Sequence, residues 1–397
     1  MKSWILNNAE MVLTILISIM ICMTRSSMAF GNLMYGLIIL MTLITCWYRR
    51  HEISVPQSIR QYGWAYLVML LCVLPSAFIS DDILVTTKYF FNIWVWKVLI
   101  IVPILLCIKS SRKLYTILSV FFVYMGIDAL SAFVQYLLGY NVGPGGRAGG
   151  VIHGSMMGLA MLLTLAFPLA LIVAYDKRFP SYVRISAVFS LFGMLLGMWG
   201  NQSRGSWLFN GINGVLITLR YCFVNIRYLL VLLVAIVGIG YAFTSNQAYI
   251  VRFESTFNIS TDASNLGRIY VWESAKQMIM DHPVTGVGPG LWQKTYREHY
   301  KLKKETQDLG HSHNNLLQIT SESGILGLIG FLGFSIFTIY KSVKNYIMFA
   351  NPYDLSIIVG FISYLFLFGS VDYTWGNSSG IRMFWIVMGI MLQLRDN

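Results

Sequence analysis

Two histidines and two asparagines stand at the start of a long apolar run, in the stretch Gly-His-Ser-His-Asn-Asn at residues 310–315. An imidazole whose pKa lies near neutrality can take a proton from a sugar hydroxyl, so we expect His313 to act as a general base. His311 is either its neighbour in the site or a loop residue. The competing interpretation is that a histidine at a helix start serves as a cap or a hydrogen-bonding residue. No carboxylate or cysteine completes a ligand set nearby, so the sequence predicts no metal.

Polar residues continue into the apolar run behind these histidines. Asn314, Gln318 and Glu322 are candidate supporting residues for the base. Glu322 lies about 13 Å along the predicted helix at ~1.5 Å per residue, where an ionisable group is costly and requires a buried partner or a function. We expect Glu322 and Asp128 to make structural polar contacts between helices. Glycines at every third position over 324–333 are expected to let a neighbouring helix approach closely.

Arg204 lies in a very short polar turn, at residues 201–206, between two apolar runs. A guanidinium held there cannot move far, and it can bind an anionic headgroup or a diphosphate with two parallel hydrogen bonds. The alternatives are that Arg204 reaches towards lipid phosphate, or that it pairs with Asp372 or Glu322.

Two further arginines are candidates for binding an anion. Arg268 lies near the start of a predicted amphipathic helix, whose free N–H groups already favour anions. Arg147 lies in the glycine-rich stretch 143–150, where missing side chains allow the backbone to approach a ligand closely. Alternatively, Arg268 is a surface charge and Arg147 a loop charge.

The composition predicts the elements that must position these residues. Of 397 residues, 56% are hydrophobic and 12% are charged, and the mean hydropathy is +0.63. Such a chain is typical of an all-α polytopic membrane protein, here one integral membrane domain over residues 1–397. The five cysteines have no paired spacing, which argues against both disulfides and a metal cluster. Twelve spans are predicted, approximately at 9–24, 31–48, 62–79, 90–108, 114–138, 153–175, 183–200, 206–220, 228–244, 314–340, 354–370 and 379–394.

The net charge of +12 does not indicate nucleic acid, because Lys and Arg cluster at every second junction between apolar runs. That pattern marks loops retained in the cytoplasm, and it places both termini there. The long polar segment 245–312, between the ninth and tenth spans, is then external, together with the candidate histidines and arginines. Within it, residues 265–281 predict an amphipathic helix on the membrane surface, and the basic stretch 294–304 predicts a solvated or headgroup-facing helix. The apolar face of the first helix comprises Ile269, Trp272, Ala275 and Ile279.

The glycine-rich stretches at 143–150 and 286–290 lack the Lys-Ser/Thr of a phosphate loop, so nucleotide chemistry is not predicted. Three segments of the chain resemble the O-antigen ligase/polymerase family of bacterial envelope polysaccharide assembly. In ligases of that family a histidine, a small polar residue, nine residues, Gly, two residues and Gly form a motif, which His313, Asn314, Gly324 and Gly327 match. The three segments are NQSRGSW at 201–207, NLGRIYVWESA at 265–275 and HSHNNLLQITSESGILG at 311–327.

The resemblance implies a glycosyltransferase of the lipid-donor, GT-C-like type in the inner membrane of a Gram-negative bacterium, with its site facing the periplasm. The donor would be a glycan on undecaprenyl diphosphate, and the acceptor a sugar hydroxyl of lipid A-core. By family analogy Arg204 and Arg268 hold the diphosphate, with Arg147 as a third candidate, and His313 activates the hydroxyl for an inverting displacement. No metal, nucleotide or other cofactor is implied. The arginines come from three different junctions, so their convergence is itself a prediction.

Two other functions stay open from the sequence. An O-antigen polymerase would join repeat units on the lipid carrier with a similar set of residues. A transporter of a lipid-linked anionic substrate would line a cavity with the arginines. The scarcity of charges within the spans and the absence of an inverted repeat argue against transport.

Overall fold

The computed structural model describes residues 2–53, 55–140, 142–143, 146–151, 154–244, 247–258 and 261–397. These residues form α-helices joined by loops and by short π and 3-10 turns, and none of them lies in an extended strand. The helices are α1 (Lys2–Met23), α2 (Met28–Tyr48), α3 (Gln57–Phe78), α4 (Ile83–Phe90), α5 (Ser111–Leu138), α6 (Met156–Tyr175), α7 (Ser181–Asn201), α8 (Arg204–Cys222), α9 (Arg227–Thr244), α10 (Gln247–Glu254), α11 (Ala263–Asp281), α12 (Trp292–Thr295), α13 (Asn315–Phe349), α14 (Pro352–Gly360) and α15 (Ser378–Asp396).

Each of the twelve predicted spans coincides with a helix. Within the described residues, eight helical segments are long and apolar enough to cross a membrane: α2, α3, α4 with its continuation to Cys107, α5, α6, α7, α13, and α14 with its continuation to Ser370. α1 and α9 contribute shorter apolar stretches, Asn8–Met23 and Arg227–Gly238. The predicted all-α, multi-pass membrane class is therefore confirmed, whereas the count of twelve crossings and the GT-C-like fold stay predictions.

Two helices form the centre of the bundle. In α6 every residue from Gly158 to Val173 is buried, and in α15 every residue from Gly380 to Leu394 is buried. A helix that is apolar on all sides is expected in such a central position. The outer helices α2, α3 and α9 instead expose large apolar side chains, as a lipid-facing surface requires.

Small residues bring α5 and α7 into backbone contact. A Cβ added at Gly193 of α7 would lie 2.5 Å from the carbonyl oxygen of Gly126 in α5, and one at Gly197 would lie 2.6 Å from Ala129 Cβ. Close approach through small residues is a common way to pack helices in a membrane. It fixes the ends of α5 and α7, from which the loops that carry Arg147 and Arg204 begin.

The long helix α13 is broken near its start. Gly324 has φ +63° and ψ −166°, which is not helical, and the loop between α11 and α12 lies against the break. The N–H groups of Val287 and Gly288 donate to the carbonyls of Ser321 and Glu322, each at 2.9 Å. A Cβ at position 324 would lie 2.1 Å from the Val284 carbonyl oxygen. The expectation that Gly324 allows a neighbouring helix to approach closely is wrong, because the segment that approaches it is the loop between α11 and α12.

Helices α10, α11 and α12 lie between α9 and α13 in the chain, and α11 and α12 contribute to a small apolar cluster that includes Val271, Met278 and Trp292. α11 is the helix predicted at 265–281, but of the four residues expected to face the membrane only Ala275 is fully buried. The buried face is displaced because α11 packs on α13 rather than on lipid alone. The basic helix expected over 294–304 is wrong, since α12 ends at Thr295 and a π turn replaces it.

Candidate active site

His313 is paired with a buried carboxylate. Its Nδ1 lies 3.1 Å from Oδ1 of Asp372, a residue in the loop between α14 and α15 whose side chain is 2% exposed. His311 Nε2 lies 3.7 Å from the same oxygen, and the two imidazole centroids are 4.2 Å apart. The expectation that no carboxylate lies near the histidines is therefore wrong. Asp372 stands 59 residues away in sequence, and folding alone brings it there.

The hydrogen bonds assign different roles to the two rings. The backbone N–H of His313 donates to Nδ1 of His311 at 3.2 Å, so the neutral His311 carries its proton on Nε2. Burial lowers the pKa of His311 to about 4, helped by the neighbouring His313, and His311 is thus uncharged at neutral pH. His313 directs Nδ1–H at Asp372, which leaves Nε2 as its proton acceptor.

Asp372 is ionised in this arrangement. Burial alone would raise the pKa of its carboxyl, but the hydrogen bond from His313 and the backbone N–H of Tyr373 hold that pKa below its usual range. The Tyr373 N–H donates to Oδ1 at 2.8 Å. A carboxylate so placed fixes the orientation of an imidazole and stabilises the imidazolium that forms when the ring takes a proton.

The backbone at His313 is held in a left-handed conformation, φ +49°, which is unusual for a residue other than glycine. The preceding residue, Ser312, is fixed on both sides. Its N–H donates to Gln318 Oε1 at 2.7 Å, and its carbonyl accepts from Trp272 Nε1 of α11 at 2.9 Å. Asn314 then caps α13 by accepting the Leu317 N–H at 3.0 Å. Asn314 and Gln318, named as supporting residues, thus act on the backbone that presents His313.

Asn315 fastens the loop that carries Asp372. Its Nδ2 donates to the Leu365 carbonyl at 2.8 Å and to Thr374 Oγ1 at 2.7 Å. Its Oδ1 accepts the Trp375 N–H at 3.1 Å. One buried amide therefore connects the start of α13 to the loop after α14, and this connection holds Asp372 within hydrogen-bonding distance of His313. No local sequence pattern indicates this role of Asn315.

Arg204, the first residue of α8, is 9% exposed. It donates to the carbonyl and the hydroxyl of Ser255, each at 2.8 Å, and to Oδ1 of Asp262 at 3.0 Å. The alternatives of pairing with Asp372 or Glu322 are therefore wrong. Arg204 instead connects the bundle to the helices α10 and α11.

Four arginines converge beside the histidines. Burial and the charges of Arg252, Arg204 and Arg268 together lower the pKa of Arg147 to about 10. Arg147 donates to the Asn201 carbonyl at 3.1 Å, and so its loop is held against the end of α7. The fourth member, Arg252 on α10, was not predicted, because it stands in a short apolar and aromatic stretch that resembles a surface helix.

The cluster carries an excess of positive charge. Burial lowers the pKa of Arg268, whereas Asp372 and Asp262 raise it, and Asp262 also interacts with Arg252. Four arginines thus meet two ionised carboxylates, which leaves two positive charges uncompensated. Within the described part of the chain, the buried Nε atoms of Arg252 and Arg268 have no hydrogen-bond partner. The field of Asp372 on Arg268 shows that the cluster adjoins the His313 site.

The residues around the two histidines can also be considered as metal ligands. His311, His313 and Asp372 offer three ligand atoms that all lie within 4.8 Å of one another, a set of the kind that holds a divalent cation. The absence of a metal was predicted from a missing carboxylate, and that reason no longer applies. Metal independence is therefore a prediction that needs its own measurement.

A cavity of about 540 Å³ lies on the other side of His311. Three of the residues named from the sequence, His311, Gln318 and Glu322, line it, and none of the four arginines does. Glu322 accepts the Gly290 N–H at 3.0 Å and Gln318 Nε2–H at 3.1 Å. The expectation that Glu322 contacts another helix is therefore wrong: its hydrogen bonds are to the loop that contains Gly290 and to Gln318 of its own helix.

The predicted contact of Asp128 with another part of the bundle is an ion pair with Arg25, which follows α1. Asp128 also accepts the Val151 N–H at 3.0 Å, and Arg25 donates to the Gly149 carbonyl at 2.7 Å. This buried pair therefore holds the loop that presents Arg147.

A comparison with protein-family models finds one that covers part of this site. The model described as O-antigen ligase matches residues 189–332, a range that contains Arg204, Arg252, Arg268 and His313 but neither Arg147 nor Asp372. No curated protein matches the chain.

Proposed function

We propose that this chain is an O-antigen ligase, and the match of residues 189–332 to the O-antigen ligase family model supports that proposal. It would transfer a glycan from undecaprenyl diphosphate to a sugar hydroxyl of lipid A-core, at the periplasmic face of a Gram-negative inner membrane. The observation that carries this proposal is the His313–Asp372 pair beside four arginines with two uncompensated charges.

The acceptor is activated by the histidine. Nε2 of His313 takes the proton of the acceptor hydroxyl as the oxygen attacks the anomeric carbon of the donor, and Asp372 stabilises the resulting imidazolium. The new bond joins the acceptor oxygen to that carbon, while the bond from the carbon to the diphosphate oxygen breaks. Attack opposite the leaving group inverts the anomeric configuration.

The leaving group is stabilised by the arginines. A diphosphate that links a lipid to a sugar carries two negative charges, and two is the excess of positive charge in the cluster. Departure adds a further negative charge to the diphosphate, and fixed guanidinium groups in a buried site stabilise such developing charge without reorganising. Arg268 and Arg252, whose Nε donors have no protein partner in the described part, are the members most available to the phosphates.

The test is transfer by the purified full chain in lipid nanodiscs, supplied with undecaprenyl-diphosphate glycan and lipid A-core. We expect His313→Ala to abolish ligation and His299→Ala, which changes an exposed histidine of the external segment, to leave it unchanged. Equal rates for both variants would contradict the assignment of His313.

The same substrates also distinguish the two alternative functions. Elongation of the glycan on its lipid carrier, without transfer to lipid A-core, would identify a polymerase. Movement of the labelled donor across a vesicle membrane without formation of any glycosidic bond would identify a transporter.

A further inference from the structure

We propose that the cavity bordered by His311 and Glu322 is the acceptor subsite, and that it takes an uncharged sugar residue with free hydroxyl groups. This inference rests on the proposed function, whose acceptor it specifies. At about 540 Å³ the cavity falls in the range of ligand-binding sites, roughly 300–1,000 Å³.

Glu322 provides the first argument, because one of its oxygens is committed and the other is not. Oε1 accepts both hydrogen bonds, from Gly290 and from Gln318. Oε2 makes no hydrogen bond to any described residue, and it is accessible from the cavity that the side chain lines. An oxygen in that position is available to a ligand, and a sugar hydroxyl can share a hydrogen bond with it.

The charge of the lining provides the second argument. Among the described residues Arg25 is the cation that reaches the cavity, and it is already paired with Asp128. The remaining polar lining is neutral, with the amides of Gln293 and Asn377 as examples. A lining without a free cation disfavours a phosphate or a carboxylate on the ligand and suits a neutral polyol.

The position of the cavity provides the third argument. The arginines adjoin the catalytic pair through Asp372, whereas the cavity adjoins it through His311, whose ring is 4.2 Å from that of His313. The pair therefore borders both the arginine cluster and a neutral cavity that the arginines do not line. An inverting displacement needs separate positions for the diphosphate and the acceptor, since the acceptor must approach the anomeric carbon opposite the diphosphate.

Aromatic residues give the cavity an apolar wall. Trp292 and Tyr373 both line it, and Trp292 is stacked on Tyr296 with centroids 4.8 Å apart and rings 13° from parallel. A rigid ring beside amide and carboxylate groups matches a sugar, which has an apolar face and a polar edge.

The kinetic test changes the unpartnered oxygen of Glu322. Glu322→Gln keeps the size of the side chain but replaces one carboxyl oxygen by an amide nitrogen, and loss of one hydrogen bond predicts a rise in acceptor KM of about three- to tenfold. The donor KM should change less than about twofold. Glu298→Gln, at an exposed position of the external segment, is the matched control. Gln293→Ala, at a cavity residue whose side chain makes no hydrogen bond within the described part, should shift the acceptor KM in the same direction. An unchanged acceptor KM in both cavity variants, or a donor KM that rises as much, would overturn the proposal.

A binding test separates this proposal from the proposed function. The His313→Ala protein, which does not turn over, is titrated with methyl α-D-glucoside, methyl α-D-galactoside and glucose 6-phosphate, with binding followed by saturation-transfer NMR. Binding of a neutral glycoside that Glu322→Gln weakens supports a sugar subsite even if ligation is never observed. Preference for the phosphate ester, or binding indifferent to Glu322, would refute the subsite while leaving the ligase assignment intact.

Discussion

Replacing Asp372 by asparagine tests the proposed pair most directly. The substitution preserves shape and removes one buried charge that lies 3.1 Å from His313 Nδ1. The attraction between this carboxylate and an imidazolium exists only after the ring has taken the proton, so it lowers the barrier and not the energy of the bound substrates. Two unit charges about 4 Å apart attract by roughly 4 kcal/mol at an effective dielectric constant of ~20. At about 1.4 kcal/mol per tenfold, kcat should fall on the order of a thousandfold.

The assay is the initial rate of ligation in nanodiscs, with donor and acceptor varied separately. We expect both KM values to stay within a few-fold of those of the unchanged protein, because Asp372 touches neither substrate. Asp308→Asn removes an exposed carboxylate that pairs with Arg297, and it should leave kcat unaltered. The double variant of His313 and Asp372 should be no slower than His313→Ala, since residues that act as one unit are not additive.

A kcat for Asp372→Asn within about fivefold of the unchanged protein, at equal thermal stability, would refute the reasoning about the charge pair. Additive losses in the double variant would refute it independently, because they would mean that the carboxylate acts elsewhere.

Three further outcomes are expected. Arg252→Ala should raise the donor KM by about tenfold or more, through loss of one charge-assisted contact to phosphate, while Arg297→Ala should not; equal donor KM values would remove Arg252 from the cluster. Ligation should persist after dialysis against EDTA, and a loss that Zn²⁺ or Mg²⁺ restores would instead assign His311, His313 and Asp372 as metal ligands. The pKa of His311 in the folded protein, about 4, lies below its value in the unfolded chain. The unfolded chain therefore binds more protons between pH 6.5 and 4, and the stability of the fold must decrease as the pH falls through that window. Because a third of the side chain is exposed, we expect an effect on the order of 1 kcal/mol, and His311→Gln should make the melting temperature less dependent on pH.

Local pattern was sufficient to predict the helices and which end of the bundle carries the candidate residues. Hydropathy is a property of each segment by itself, and so the twelve apolar runs fall on helices of the structure. The alternation of basic junctions predicted that Arg147, Arg204, Arg268 and His313 share one side, and the structure brings all four to one end of the bundle. These predictions needed no knowledge of which helix packs on which.

Partners could not be predicted in the same way. Asp372 follows a span and is separated from His313 by a helix hairpin, so that nothing in its neighbours signals the pairing. The alternative pairing of Arg204 with Asp372 or Glu322 is wrong, because its actual partner, Asp262, lies in a polar segment without a strong periodicity. The role of Gly324 could not be predicted, since hydropathy shows neither its left-handed backbone conformation nor the loop that packs beside it. Long-range contacts decide all three cases.

The break in α13 has a consequence for how the protein is made. The carbonyls of Ser321 and Glu322 are satisfied by N–H groups of the loop at Val287 and Gly288, and in hydrocarbon a lone backbone carbonyl costs several kcal/mol. During biogenesis α13 must therefore enter the bilayer as a continuous helix, or together with a loop that has already been translocated. Because that loop precedes α13 in the chain, it leaves the ribosome first. On the predicted topology, export of the segment 245–312 and opening of the helix are thus successive steps of one insertion pathway, and we expect a chain whose segment stays in the cytoplasm to be unable to form the site.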